Sequence, residues 1–377
     1  MIEQQLVLES MPINVLEKRK LSSRFPPAHV KDQSLLFQYR AMHHTVVYDS
    51  EVYTQSLTDY ILQDSPVQPY LVTGEPGVGK SLLLARWVEQ LNFHISDCLL
   101  LYHFVQFDPS GSFDPMLVTS SFAKQLLHNV PACYDPQRLE KDFPKLLERA
   151  SLHYTNGVII VIDGADSLLK CFEKLKWLVD PLPVRTRAII SVDSTNEGVP
   201  LKWLAWPTLQ VTGFTPDGVR DFLGANLVHP LLSSQCQSTI DYILSSDPEQ
   251  ELKKFSNPMF SLIASYLLMY SRSVEEYDET LNSVLQAANL TNLFEILIKI
   301  FFDIYGIQLV TDILLLTCFS YDGVTESELM TLVPQLHWII WSKLKADLLI
   351  KRVFLEISGV LKVASKEVRS YLIIIML

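Results

Sequence analysis

Eight consecutive residues, Gly74-Glu75-Pro76-Gly77-Val78-Gly79-Lys80-Ser81, satisfy the spacing G-x-x-x-x-G-K-[ST] at every fixed position. Each fixed residue has a physical reason to be there. Glycines let the main chain wrap closely around a phosphate chain, and the N-terminus of a following helix adds positive potential. The Lys80 ammonium is long enough to reach β- and γ-phosphates, and the Ser81 hydroxyl is placed to ligate a Mg²⁺ ion held by them. Together with Leu82, which follows in the first helical turn, these residues form the expected nucleotide-binding stretch.

A second feature supports the first. "GVIIVIDGADSLL" carries five apolar residues and then Asp163. A carboxylate at the C-terminal end of a buried strand opens into the crevice where nucleotides bind in open α/β sheets. There it can orient Mg²⁺ through the ion's water shell. Asp163 and Ser81 are therefore the candidate metal-contacting residues, and Asp163 and Asp166 the candidate catalytic carboxylates. Asp166, three residues further on, has two open readings: it orients an attacking water, or it caps a helix beginning at Ser167. No [NT]-K-x-D guanine-reading motif occurs, because "LKAD" at Leu344–Asp347 has the wrong first residue, so adenine is the default base.

Other chemistries lack their residues. There is no H-E-x-x-H, no Cys/His grouping with zinc spacing and no G-x-S-x-G. His43, His44 and His103 are isolated and read as packing or surface residues. Trp203 and Trp206 in "LKWLAWP" read as core in preference to a base-stacking pair.

These groups need a scaffold, and the apolar runs supply one. "YLVTG" leads into the glycine loop, and "KSLLLARWVEQL" leaves it as a helix with Leu83, Leu84, Trp87, Val88 and Leu91 available for the inner face. "CLLLYHFVQF", "NGVIIVIDG", "RAIISVD" and "TLQVTGF" read as four further strands. Near-continuous apolar runs indicate strands buried on both faces, as in a parallel sheet wrapped by helices. The fold class expected is α/β, a five-stranded parallel sheet flanked by helices over residues 46–215. A helical pattern over Tyr48–Gln63 precedes the first strand, and another lies near "MLVTSSFAKQLLHNV". After Phe214 the pattern is helical: "TPDGVRDFLGANL" with a Thr cap, then Ser233–Ser245 and Met259–Tyr270, giving a helical domain over 216–288. Residues 289–377 read as a winged-helix-like domain, with a capping box at Thr325 and Glu328 and a hairpin, "VFLEISGVLKV", turning at Ser358-Gly359. The lead-in of residues 1–45 is expected to be partly disordered, and "SYLIIIML" to mark a truncated element.

Composition narrows the function classes. The 377 residues are 48% hydrophobic and 19% charged, with a net charge of −11 and a pI near 5.3. Neither nucleic acid nor an anionic membrane is called for by that balance. The basic cluster "EKRK" at Glu17–Lys20 is short and reads as a solvated helix end. Cys98, Cys133, Cys171, Cys236 and Cys318 lie far apart, the pattern of reduced thiols in a cytoplasmic protein. The apolar region Leu293–Phe319 is interrupted by Glu295, Lys299, Asp303 and Asp312, which argues for buried helices and against a membrane span. The sequon at Asn289 is irrelevant to such a chain.

The order of elements resembles the signal-transduction (STAND) P-loop ATPases with NACHT-type architecture. "VTGEPGVGKS", "IVIDGADS" and "SNPMFSLIASYLLM" carry the likeness. Further stretches, "YHFVQFDPS", "RAIISVDS" and "SYDGVTESELMTLV", are most similar to its nephrocystin branch, which carries tetratricopeptide repeats. The resemblance implies binding of ATP or ADP with Mg²⁺, and it implies that Pro258 touches the adenine, with Ser256 where the family has Gly. It also implies protein partners at the helical and winged-helix surfaces and leaves homo-oligomer formation open. Three departures stand out. One acid is missing after Asp166, where Ser167 stands. Asp193 and Ser194 occupy the end of the fourth strand in place of a γ-phosphate-sensing arginine, Arg185 and Arg187 lying at the strand's other end. Lys366 stands in place of a sensing histidine. With the charge around the γ-phosphate thinned, the expectation is slow turnover and a switch or scaffold role. A productive ATPase or nucleotide kinase, and a nucleotide-independent interaction module, are the alternatives.

Overall fold

The structure, a computed structural model, describes residues 50–363 apart from 64–67, 96, 106–114, 127–135, 167, 169–174, 180–181, 196–198, 200–202, 248–249, 321–323, 347–353 and 358–359. The lead-in, Cys133, Cys171, Lys366, the Ser358-Gly359 turn and the apolar ending therefore lie outside the described residues. The chain divides into two compact units. One comprises the described residues through Glu75 together with Lys80–Val211; the other comprises Pro76–Gly79 and the residues from Thr212 onward.

The first unit begins with α1 (Ser50–Ile61) and β1 (Tyr70–Gly74). Then come α2 (Lys80–His94), β2 (Leu99–Phe104), α3 (Pro115–Leu126), α4 (Pro136–His153), β3 (Val158–Asp163), the short α5 (Lys176–Val179), β4 (Thr186–Asp193) and β5 (Thr208–Gln210). The five strands form one parallel sheet in the order β2-β3-β4-β1-β5. Every residue of β3 is buried, as its unbroken apolar run requires. Because side chains alternate, Leu71, Leu101, Ile160, Ile162, Ala188 and Ile190 line one face, in one core with Phe122, Phe143 and Trp177. All five residues expected on the inner face of α2 are buried.

Two elements depart from the sequence reading. β5 is three residues long and largely exposed, because it is the edge strand with a neighbour on one side only. Helix α4, which the sequence reading passes over, contains Pro144 in its interior. An interior proline normally breaks a helix. Here the spacing of Leu139, Phe143, Leu146, Leu147 and Ala150, all buried, keeps one face of α4 in the core.

The second unit contains α6 (Pro216–Asn226), α7 (Ser233–Ser245), α8 (Glu251–Ser256), α9 (Pro258–Met269), α10 (Val274–Gln286), α11 (Leu290–Tyr305) and α12 (Ile307–Phe319). These are followed by β6 (Val324–Thr325), α13 (Glu326–Leu332), α14 (Trp338–Ala346), β7 (Phe354–Ile357) and β8 (Val360–Val363). One continuous core runs from Val219 to Leu344. Side-chain caps punctuate the helices: Thr215 accepts from Gly218 N, Ser273 from Glu276 N and Asn289 from Asn292 N. Asn289, the sequon residue, is thus a helix cap. The capping box at Thr325 and Glu328 is formed in both directions. The expected hairpin pairs Ile357 with Val360 and gains a third antiparallel strand, β6, on β8. Among the described residues, no helix is long and apolar enough to cross a membrane.

Candidate functional site

Strand β1 delivers the chain to Gly74, and α2 begins at Lys80, so the glycine motif is the strand-to-helix turn that its chemistry needs. Gly77 and Gly79 have φ of +83° and +94°, a region closed in practice to side-chain-bearing residues. Around Gly77 space is short as well. An added Cβ would lie 2.8 Å from Asn257 Oδ1 and 3.0 Å from Met259 Cβ. The Lys80 ammonium folds back over the start of the loop, donating to Gly74 O at 2.6 Å and to Glu75 O at 2.9 Å. A bound polyphosphate would offer that ammonium charged acceptors in place of neutral ones, an exchange that favours the anion.

Residues 76–79 belong to the second unit, where the start of α9 holds them. Asn257 caps α9, accepting from Met259 N at 3.1 Å and Phe260 N at 3.2 Å, while its Nδ2 donates to Pro76 O at 2.8 Å. Met259 N also donates to Gly77 O at 3.3 Å. Pro258 occupies the first helical position, where its missing N–H is harmless.

Asp163 ends β3, only 2% exposed. Ser191 Oγ on β4 donates to Asp163 Oδ1 at 2.7 Å, and Gly164 N donates to the same Oγ at 2.8 Å. Asp166 is half-buried in a 3-10 turn that follows, and Ser167, where the capping alternative begins its helix, lies outside the described residues. At the end of β4, Asp193 Oδ1 accepts from Thr195 N and Thr195 Oγ1, both at 2.9 Å, and Ser194 N donates to Gly74 O at 3.1 Å. The Asp193 carboxylate is therefore held in its own turn. Arg185 and Arg187 lie at the opposite, N-terminal end of β4, as expected from their position in the chain. Trp203 and Trp206 are buried and stacked 5.0 Å apart, inside the sheet core.

The topology thus brings together Gly74, Lys80 and Ser194 at the end of β1, and Asp163, Gly164 and Ser191 at the ends of β3 and β4. Sequence reasoning misses Ser191 and Asn257. The signal for Ser191 is one hydroxyl within the apolar run Ala188–Val192, yet its pairing with Asp163 is a matter of register. The residues fit a Mg²⁺–polyphosphate group. A positive-φ glycine turn precedes a 15-residue helix, an ammonium stands over the loop, and a buried carboxylate is held by a hydroxyl. Among the described residues, no group of three or more His, Cys, Asp or Glu could hold a metal by itself.

Sheet order, loop and acid are those of a P-loop nucleotide-binding fold. Residues 64–192 match the family model of the AAA domain, and residues 227–367 match that of the nephrocystin 3 helical domain. Over 303 residues the chain is 32% identical to nephrocystin-3 of Mus musculus, covering 77% of this chain and 22% of that protein. Over 304 residues it is 26% identical to tetratricopeptide repeat protein 41 of Mus musculus, covering 71% of this chain and 22% of that one. Read from sequence alone, the nephrocystin-branch likeness narrows to tetratricopeptide repeat protein 41. The higher identity corrects that reading toward nephrocystin-3, to which the chain is homologous. The chain spans less than a quarter of the length of the curated relatives it matches. Among solved structures, the Aeropyrum pernix ORC2 protein (ADPNP-ADP complexes) aligns over 96% of this chain and 98% of that one, at TM-score 0.43 and 10% identity. The fold assignment here stands on strand order and register.

Proposed function

We propose that the chain binds ATP or ADP with Mg²⁺ and acts as a slow nucleotide-dependent switch or scaffold for protein assembly, in the manner of NACHT-type STAND ATPases. The observation that carries this reading is the phosphate loop, with two positive-φ glycines and the Lys80 ammonium held over its first carbonyls. Gly74, Glu75, Pro76, Gly77, Val78, Gly79, Lys80, Ser81 and Leu82 take the polyphosphate. Ser81 and Asp163 serve the metal, and Asp166 orients the attacking water. Pro258 is proposed as the adenine contact because the start of its helix packs with Pro76–Gly79 in one compact unit.

Slow turnover is supported by Asp193, whose carboxylate is engaged by Thr195 where the resemblance has an arginine. Without a positive group there, charge developing on the γ-phosphate lacks one of its usual partners. The winged-helix reading of residues 289–377, cytoplasmic action and protein partners on the helical surfaces belong to the same proposal. Calorimetry of ATP and ADP with Mg²⁺ tests it, with Lys80→Ala expected to abolish binding. Equal affinity in the variant removes the site assignment. Phosphate release faster than on the order of one per minute, lost in Asp166→Asn, favours a productive ATPase instead.

A further inference from the structure

We propose that Ser191 is the positioning residue that aims the Asp163 carboxylate at the Mg²⁺ carried by the nucleotide; this rests on the nucleotide-binding reading above. The argument begins with strand periodicity. Ile162 pairs with Ile190, and the next step along both strands sets Asp163 beside Ser191. Val72 of β1 pairs with Ser191 from the other side. Side chains alternate, and Ile162, Ile190 and Val192 belong to the core packed with α3 and α4. Asp163 and Ser191 therefore share the opposite face.

Strand β4 lies between the acid strand and the loop strand. With strands roughly 4.8 Å apart, the backbone carrying Asp163 is about 10 Å from that of β1. A short aspartate working across that gap has to be directed, and its direction has to be fixed before the ion arrives. Ser191 supplies the direction. Its oxygen accepts the Gly164 N–H, which leaves its single proton for Asp163 Oδ1. Ser191 is 1% exposed and Asp163 2%, so water does not readily replace either bond. One hydroxyl thus ties the carboxylate of residue 163 to the peptide that immediately follows it. Outer partners of this kind orient a metal-binding group and are worth about 10–100-fold in metal affinity.

A purely structural hydroxyl would predict something different: loss of stability without a specific change in metal dependence. The test is equilibrium binding of a fluorescent ATP analogue to the full chain, titrated with Mg²⁺ and repeated in EDTA, alongside thermal melts without nucleotide. In Ser191→Ala the Mg²⁺ concentration giving half the metal-dependent tightening is expected to rise about 10–100-fold. Affinity in EDTA stays at the wild-type value. Ser191→Thr, which keeps the hydroxyl, restores the Mg²⁺ midpoint. Should the alanine variant fail to fold, Ser191→Cys carries the same comparison, its weak S–H donor giving an intermediate rise. An unchanged Mg²⁺ midpoint in a folded variant overturns the inference, as does an equal loss of affinity in EDTA and in Mg²⁺. Wild-type protein that binds no nucleotide overturns instead the reading on which the inference rests.

Discussion

At the N-terminal end of the parallel sheet, Arg187, Tyr60 and Gly157 commit their polar groups and backbone to main-chain partners. At the C-terminal end, Lys80 bonds the carbonyls that follow β1, and Asp163 and Ser191 bond each other at the ends of β3 and β4. Arg187 donates to Thr186 O and Gln63 O, and Tyr60 Oη donates to Gln68 O at 2.9 Å and accepts from Ala188 N at 3.4 Å. Gly157 at φ +69° lets Val158 N reach Arg185 O at 2.9 Å. That end is a lock. At the other end the ammonium rests on two carbonyls that a phosphate can replace, and the carboxylate is directed by a side chain from the next strand. Both ends contain positive-φ glycines and buried polar groups, so neither feature marks a ligand site by itself. What separates them is that Arg187 and Tyr60 bond main-chain groups at one end, whereas at the other the Asp163 carboxylate is held by a side chain, Ser191.

The contrast is broken most directly through its glycines. At Gly157 an added Cβ would lie 1.8 Å from Arg185 O, in backbone that cannot retreat without opening the β3–β4 pairing. Gly157→Ala is expected to lower stability by roughly 3–5 kcal/mol, measured by denaturant unfolding, without changing nucleotide affinity in the fraction that remains folded. At Gly79 nothing lies within 4 Å of an added Cβ, and only the φ of +94° resists. Gly79→Ala should therefore lower stability by only about 1–2 kcal/mol, yet weaken nucleotide binding at least ~10-fold, because the turn that shapes the loop is strained. If the Gly79 variant binds normally, or the Gly157 variant melts like wild type, the two ends do not differ as described.

How much of this is legible in the residues depends on whether the signal is local. The span of β1 is read as found, because "YLVTG" is apolar and bounded by a proline and a glycine turn; α7 is read as found, at Ser233–Ser245. The capping box at Thr325 is a four-residue pattern, and it forms. Helix α4 is not legible by rule, since Pro144 is a local stop signal that burial of Phe143 and Leu147 overrides. The exposure of β5 depends on its being an edge, which is a property of strand order. In the site, the loop and Asp163 are contiguous motifs and can be read directly. Ser191 lies 28 residues from Asp163, and Asn257 lies 181 from Pro76. Only the pairing of strands, or the packing of a helix start, makes them neighbours.

The smallest effect tests the lock by titration. Tyr60 stacks on Tyr70 at 4.6 Å, and burial pushes its phenol up to about 12 from 10.0, against the lowering pull of its bond to Ala188 and the nearby Arg187 charge. The folded value lies above the unfolded one, so the native state holds this proton more tightly. Its contribution is complete below about pH 10 and is lost as pH rises toward 12, a span worth at most roughly 2–3 kcal/mol. Tyr60→Phe keeps the ring and removes the titration. At neutral pH the variant is expected to lose about 1 kcal/mol, because the hydroxyl's main-chain bonds go. Between pH 10 and 12 its unfolding free energy should fall less steeply than that of wild type, the two curves converging and then crossing once the wild type has lost about 1 kcal/mol. Parallel curves would mean that the phenol is not held closed at this end, and that this end is no tighter than the loop end.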